Sequence, residues 1–417
     1  MQALALGQEK PTFTVFDISV LFFLFIVPFF PLPKTVLGFL APLSVIFLFG
    51  FLVLQIATRK IDLQLDININ TVIVCFFLLI VFDLINGMRF ESLVEFKYVF
   101  ARVTTLIVTL LVVSYLQNNP QHGIKWVMLA ILFSAVVVSI LIILEGFGLV
   151  STGIHSEMGR RLFGIRIPIR KATGVPLSDG KLGTLLIPSL TMLLIPGLLS
   201  EWLHKRWRLL FIFLLVAGIL IMQSRSGWLG LFAGWAFLIA YYINRSKYIA
   251  FHLLAVTLMA GILFFSPVGE AIFAGFVGEG IQAQSASGRL LGAQQALAAS
   301  TSSFILGQGH GTVFIENEIG KIHIIHNLFL DQLTANGIVG LLVLLFVYGF
   351  FLWLIGVALR KVSKNSFTER YLLWLVAAWL SVFVEQNLYR GFYNEYIAIY
   401  LGIALYGAWH LTIKMKS

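Results

Sequence analysis

Apolar runs close to the roughly 20 residues that a helix needs to cross a hydrocarbon core recur along the whole chain. Twelve can be drawn: 13–31, 35–57, 70–87, 97–117, 125–147, 180–199, 207–222, 226–243, 248–266, 334–359, 370–388 and 393–413. This pattern leaves few folds open, because a backbone immersed in lipid must satisfy its own hydrogen bonds. The expected fold class is an all-α polytopic membrane protein of about 12 transmembrane helices, one transmembrane domain over residues 1–417. Composition agrees: 59% of the 417 residues are hydrophobic and only 12% are charged, too few polar groups to cover a soluble domain of this size.

The loop cations set an orientation. With the N-terminus in the cytoplasm, Arg59 and Lys60, then Lys205, Arg206 and Arg208, then Arg245 and Lys247, then Arg360, Lys361, Lys364 and Arg370 all fall on the cytoplasmic side. Lys414 and Lys416 join them, so the N- and C-termini are both expected to be cytoplasmic, as the positive-inside rule requires. The stretch before Phe16 lacks a basic n-region, and the first span is expected to act as an uncleaved anchor. Two longer connections then face outward, a smaller periplasmic loop at 149–179 and a large one at 266–325. In the large loop the run from Ser287 to Ala299 reads as an interfacial helix, and Gly307-Gln-Gly-His-Gly311 as a flexible turn.

The formal net charge of +10 is accounted for by the cytoplasmic loops, so no nucleic-acid partner is implied, while membrane lipids are the expected surroundings. The one cysteine, Cys75, lies inside an apolar run, which excludes an intrachain disulfide and a thiolate metal site.

Topogenesis does not explain the cations on the outward side. Arg160, Arg161, Arg166, Arg170 and Lys171 cluster in the first outward loop. Arg225 lies in a tight outward turn, Arg289 on the interfacial helix, and Arg390 in the last outward turn. Guanidinium groups hold their charge and bind phosphate oxygens in bidentate fashion, so a pyrophosphate is a natural ligand. The plain alternative is that these side chains reach outer-leaflet headgroups.

His326 and Asn327 open a helix leading into the tenth run. An imidazole there can accept a proton near neutral pH, and neighbouring arginines favour its neutral form. His323, three residues earlier, could share a helix face with it and hold a metal. No carboxylate-rich motif accompanies the pair, and Asp331 is expected on another face, so no metal and no other cofactor is expected. His310 reads as a histidine that caps or hydrogen-bonds a helix end.

Three motifs in this order resemble those of the O-antigen ligase and Wzy-type polymerase superfamily of bacterial membrane proteins. They are Ser224-Arg225-Ser226-Gly-Trp228, Ser287-Gly-Arg289 followed by Gly307-Gln-Gly-His-Gly311, and His326-Asn327-Leu-Phe-Leu…Asn336-Gly337-Ile-Val-Gly340. The resemblance is clear from about 210 to 350 and architectural elsewhere. It implies a GT-C-like fold in the bacterial inner membrane with a periplasmic active site. It implies an inverting, metal-independent glycosyltransferase whose donor is a glycan on undecaprenyl diphosphate. The acceptor would be lipid A–core for a ligase, the slightly favoured reading, or a second lipid-linked glycan for a polymerase. By motif match Arg225 and Arg289 would hold the diphosphate, with Asn327 beside them, and His326 would be the general base. Arg160, Arg161 and Arg166 enter the diphosphate- or substrate-binding set on charge and side alone.

A transporter is the competing class, since twelve spans also suit a carrier. Carriers place ionisable groups near the bilayer midplane. Here Asp83 and Arg102 are the notable mid-span ionisable residues, and the two halves of the chain are not alike.

Overall fold

The computed structural model describes residues 15–26, 50, 64–90, 93–120, 122–146, 149, 159–162, 165–168, 179–200, 202–222, 225–243, 281–310, 315–316, 322–323, 327–387 and 395–414. Helices dominate, in the order α1 (Val15–Ile26), α2 (Ile67–Phe90), α3 (Leu93–Asn118), α4 (Gly123–Gly146), α5 (Asp179–Leu194), α6 (Lys205–Met222), α7 (Arg225–Tyr242), α8 (Ile281–Ser302), α9 (Leu328–Lys361), α10 (Phe367–Gln386) and α11 (Glu395–Lys414). A helix therefore occupies ten of the twelve apolar stretches; 35–57 and 248–266 lie almost wholly outside the described residues.

Among the described residues five helical segments are long and apolar enough to cross a membrane: Ile67–Arg89, Tyr98–Asn118, Gly123–Leu144, Leu328–Lys361 and Phe367–Gln386. Shorter apolar helices join them at Gly183–Leu194, Ser226–Tyr242 and Ile397–His410. These are the features of a multi-pass membrane protein. The all-α expectation needs one addition. The connections at 149–179 and 266–325 carry two antiparallel hairpins, β1 (Gly159–Leu162) with β2 (Ile165–Pro168), and β3 (Ile315–Glu316) with β4 (Ile322–His323).

Without water to drive apolar surfaces together, helices in lipid associate through close backbone approach and hydrogen bonds. The α7–α10 contact shows this directly. Gly230 and Gly234, four residues apart on one face of α7, lie against the Ser381 and Ala377 carbonyls of α10, where an added Cβ would stand 2.6 Å from each oxygen. The pairing order makes the two helices antiparallel, so the start of α7 meets the end of α10. α5 runs antiparallel to α10 as well: Arg370 Nη1 donates to the Gly197 carbonyl just beyond α5 (2.9 Å), Trp374 Nε1 to that of Pro188 (2.8 Å), and Gly183 lies against the Glu385 carboxylate. Asn327, just before α9, donates to the Asn387 carbonyl at the end of α10 (3.2 Å). On the far side of the bundle Thr109 Oγ1 of α3 donates to the Ala398 carbonyl of α11 (3.2 Å), and Tyr406 Oη reaches Pro120 (3.4 Å). Phe351 stacks on Trp379 between α9 and α10 with ring centroids 3.8 Å apart.

These contacts sort the chain into two ends. Asp17, Asn119, Gly197, Arg208 and Lys361–Arg370 gather at one, with Asn119 Nδ2 donating to Asp17 (2.8 Å). The end of α2, the starts of α3, α7 and α9, and the end of α10 gather at the other.

Candidate functional site

At that second end the helix starting at Leu328 is not one straight rod. Its 34 residues would span about 51 Å at 1.5 Å per residue, well beyond a hydrocarbon core of about 30 Å. Gly337 (φ 63°, ψ −166°) breaks it into 328–336 and 338–361. Only glycine adopts such a backbone without strain. The break frees backbone groups, and the turn following α8 takes them up. Gln308 N donates to the Thr334 carbonyl (2.7 Å), Gly309 N to that of Ala335 (2.9 Å), and Ile338 N to that of Phe304 (2.8 Å). A Cβ on Gly337 would overlap the Ile305 carbonyl, and one on Gly307 would overlap that of Ala335. Two motifs that are separate in the sequence are therefore the halves of one joint. The Gly307–His310 turn, expected to be flexible, is instead pinned.

Beneath the joint lies a buried polar cluster from four elements. Asn86 Nδ2 of α2 is within hydrogen-bond distance of the Leu306 and Ala335 carbonyls and of Asn336 Oδ1 (3.1, 2.8 and 2.9 Å). Asn336 Nδ2 donates to Asp83 Oδ1 (2.8 Å). Asp83 Oδ2 pairs with Arg102 Nε of α3 at 2.5 Å, both residues fully buried. Arg102 Nη2 donates to Gln332 Oε1 (3.1 Å) and lies 3.5 Å from His310 Nε2. The His310 ring sits between two carboxylates: Nε2 is 3.4 Å from Asp83 Oδ1 and Nδ1 is 3.3 Å from Asp331 Oδ2. Tyr98 stacks over it, centroids 3.6 Å apart. Arg89 closes the rim through Asn86 Oδ1 (3.2 Å) and the Gly307 carbonyl (3.4 Å).

Burial pushes the His310 imidazole toward its neutral form, but Asp331 and Asp83 outweigh it, so its pKa lies above the ordinary 6.5. Charge counting agrees: with an imidazolium, the two carboxylates are balanced by two cations in a place water does not reach.

The structure places the expected site residues on these elements. Arg225 is the first residue of α7, and Arg289 lies within α8. Arg160, Arg161 and Arg166 lie on the β1–β2 hairpin, with Arg161 and Arg166 as cross-strand partners. Asn327 is the N-cap of α9: its Oδ1 accepts from Phe329 N and Leu330 N (both 3.0 Å), while its Nδ2 holds the end of α10. This fixes the residue that follows His326; His326 itself, Arg170, Lys171 and Arg390 lie outside the described residues. The starts of α7 and α9 thus share one end of the bundle, both gathered by α10.

Sequence reasoning missed the centre of the cluster. His310 is an ion-paired core residue, not a helix cap, and Asp331 faces it. Asp83 and Arg102, the notable mid-span ionisable residues, pair with one another. Their signal was available: opposite charges in two neighbouring spans are expensive unless they meet.

No curated protein matches the chain. A family model described as O-antigen ligase (Wzy_C) matches residues 209–345, a stretch that holds Arg225, Arg289, His310, His326, Asn327 and the Gly307–Gly337 joint. Residues 209–345 thus carry the domain of the O-antigen ligase and Wzy-type superfamily.

Proposed function

We propose that the protein is an inverting, metal-independent glycosyltransferase that moves a glycan from undecaprenyl diphosphate to an acceptor at the periplasmic face of a bacterial inner membrane. The observation that carries this reading is the O-antigen ligase domain over 209–345, which contains all three motif residues assigned to the chemistry. Transfer from a lipid diphosphate needs fixed positive charge where the leaving group develops negative charge. Arg225 and Arg289 supply it, with the Arg160, Arg161 and Arg166 hairpin as further anion-binding groups. The acceptor hydroxyl needs a placed base. His326 takes that proton, and the Asn327 cap sets where the helix after it begins. Two guanidinium groups do the neutralising work that a divalent metal would otherwise do.

The layout that goes with this reading is one transmembrane domain over 1–417 with twelve spans, both termini cytoplasmic, and periplasmic loops at 149–179 and 266–325. The preferred acceptor is lipid A–core, which makes the protein an O-antigen ligase. Replacing Arg225, Arg289 or His326 with Ala abolishes surface polysaccharide on gels at unchanged protein level. Normal polysaccharide in all three variants would remove the assignment. The gel pattern also separates the acceptors: a ligase defect leaves polymer on the carrier lipid, whereas single repeats on the core identify a polymerase.

A further inference from the structure

The domain that carries the motif residues does not stand alone. Asp83 and Arg102 belong to α2 and α3, before the matched stretch, yet both close on His310 and Asp331 inside it. We infer that His310 is a positioning residue: it clamps the turn after α8 between Asp331 of α9 and Asp83 of α2. This holds the helix bearing Arg289 at a fixed place relative to the helix start that follows His326. The inference rests on the glycosyl-transfer reading for what the clamp positions, while the clamp itself is visible in the geometry.

Three observations carry it. The turn is tied to α9 by backbone hydrogen bonds at the Gly337 break, from Gln308 and Gly309 to Thr334 and Ala335 and from Ile338 to Phe304. His310 is the next residue, and its two ring nitrogens reach carboxylates on two different helices. Gln308 Nε2 reaches back to the Ala299 carbonyl (2.9 Å), so a shift of the turn moves the end of α8 with it. The groups facing the ring are Asp83 and, at the rim, Arg89 from α2, Tyr98 and Arg102 from α3, and Asp331 with neutral Gln332 from α9. A ring that loses its second proton leaves two carboxylates against one buried guanidinium, so the clamp loosens on the alkaline side. The sign follows from linkage. A histidine with a raised folded pKa contributes stability that is fully present below about pH 6.5 and fades as pH climbs through the higher folded value.

The test uses the full-length protein in lipid vesicles across a pH series, with two readouts. One is hydrogen-exchange protection of the 304–310 peptide, corrected for intrinsic rate; the other is transfer of lipid-linked glycan. In the parent, protection and transfer fall together on the alkaline side. H310Q lowers protection about tenfold at neutral pH and flattens that alkaline limb in both readouts. D331N, the milder change, keeps the limb but moves it down by about one pH unit, because one of the two carboxylates holding the proton is gone. D331N alone carries the test if H310Q does not fold. In the double variant H310Q/D331N the loss is no larger than in H310Q, since the carboxylate left unpartnered has been removed. Unchanged protection and an unmoved limb in H310Q and D331N overturn the clamp. Loosened protection with full transfer at every pH overturns the positioning role. A parent protein that transfers no lipid-linked glycan at any pH overturns the glycosyl-transfer reading instead, whatever the exchange data show, and transfer that survives in R225A, R289A and H326A removes those three residues from the chemistry.

Discussion

Both ends of the helix bundle bury charge, but they do so in different ways. At the end with Arg208 and Arg370, charges are answered by backbone groups and by neutral side chains. Arg208 Nε donates to the Leu193 carbonyl (2.8 Å) and Arg370 Nη1 to that of Gly197 (2.9 Å). Glu369 accepts from Asn365 N and Tyr241 Oη, both at 2.5 Å, and its own N–H is capped by Ser366 Oγ (3.1 Å). At the other end, Asp83, Arg102, His310 and Asp331 answer one another through side chains drawn from α2, α3, the turn and α9. The first arrangement closes helix ends without an opposite charge. The second is a mutual balance, and removing one member leaves a buried charge without its counter-charge.

That contrast can be broken at its strongest point. Asp83→Ala takes the ion-pair partner from Arg102 and one of two carboxylates from His310. The expected cost is about 3–5 kcal/mol, read as a large drop in the thermal midpoint of the detergent-solubilised protein. A loss no greater than that of a helix cap would show that the cluster is not a mutual balance. Gly337→Ala attacks the joint rather than the charges. It meets the Ile305 carbonyl and forces a non-glycine residue to a φ of 63°, so the turn must give. The expected cost is about 1–3 kcal/mol, with exchange protection of 304–310 lost first. Ser366→Ala sharpens the comparison from the other end. It removes one cap from α10 and costs about 1 kcal/mol, with no effect on the 304–310 turn.

Much of this was legible along the chain because it depends on short-range patterns. Ser366-Phe-Thr-Glu369 is a local signal for the start of α10 that went unread, and the structure places the N-cap at Ser366. Asn327 was read as opening a helix and does so. The length and apolarity of the runs marked ten helices to within a few residues at most ends. The short strands at 159–168 were not legible: four-residue segments carry too little periodic signal. His310 was misread for a related reason. Its neighbours in sequence are glycines, which say that the backbone turns but nothing about what the imidazole meets.

By itself the sequence determined the helical kind of the long elements, the places of ten of them and the motif set that links residues 209–345 to one superfamily. Apolar length, helix caps and loop charge act within a few residues or relative to the bilayer, so no tertiary contact is needed to read them. Only the folded chain decided that the Gly307 turn and the Gly337 break interlock, and that Asp83 and Arg102 close on His310 and Asp331. The links from α2 and α3 to the turn and α9 span more than 200 residues of sequence, and ion pairs form between whichever charges helix packing brings together.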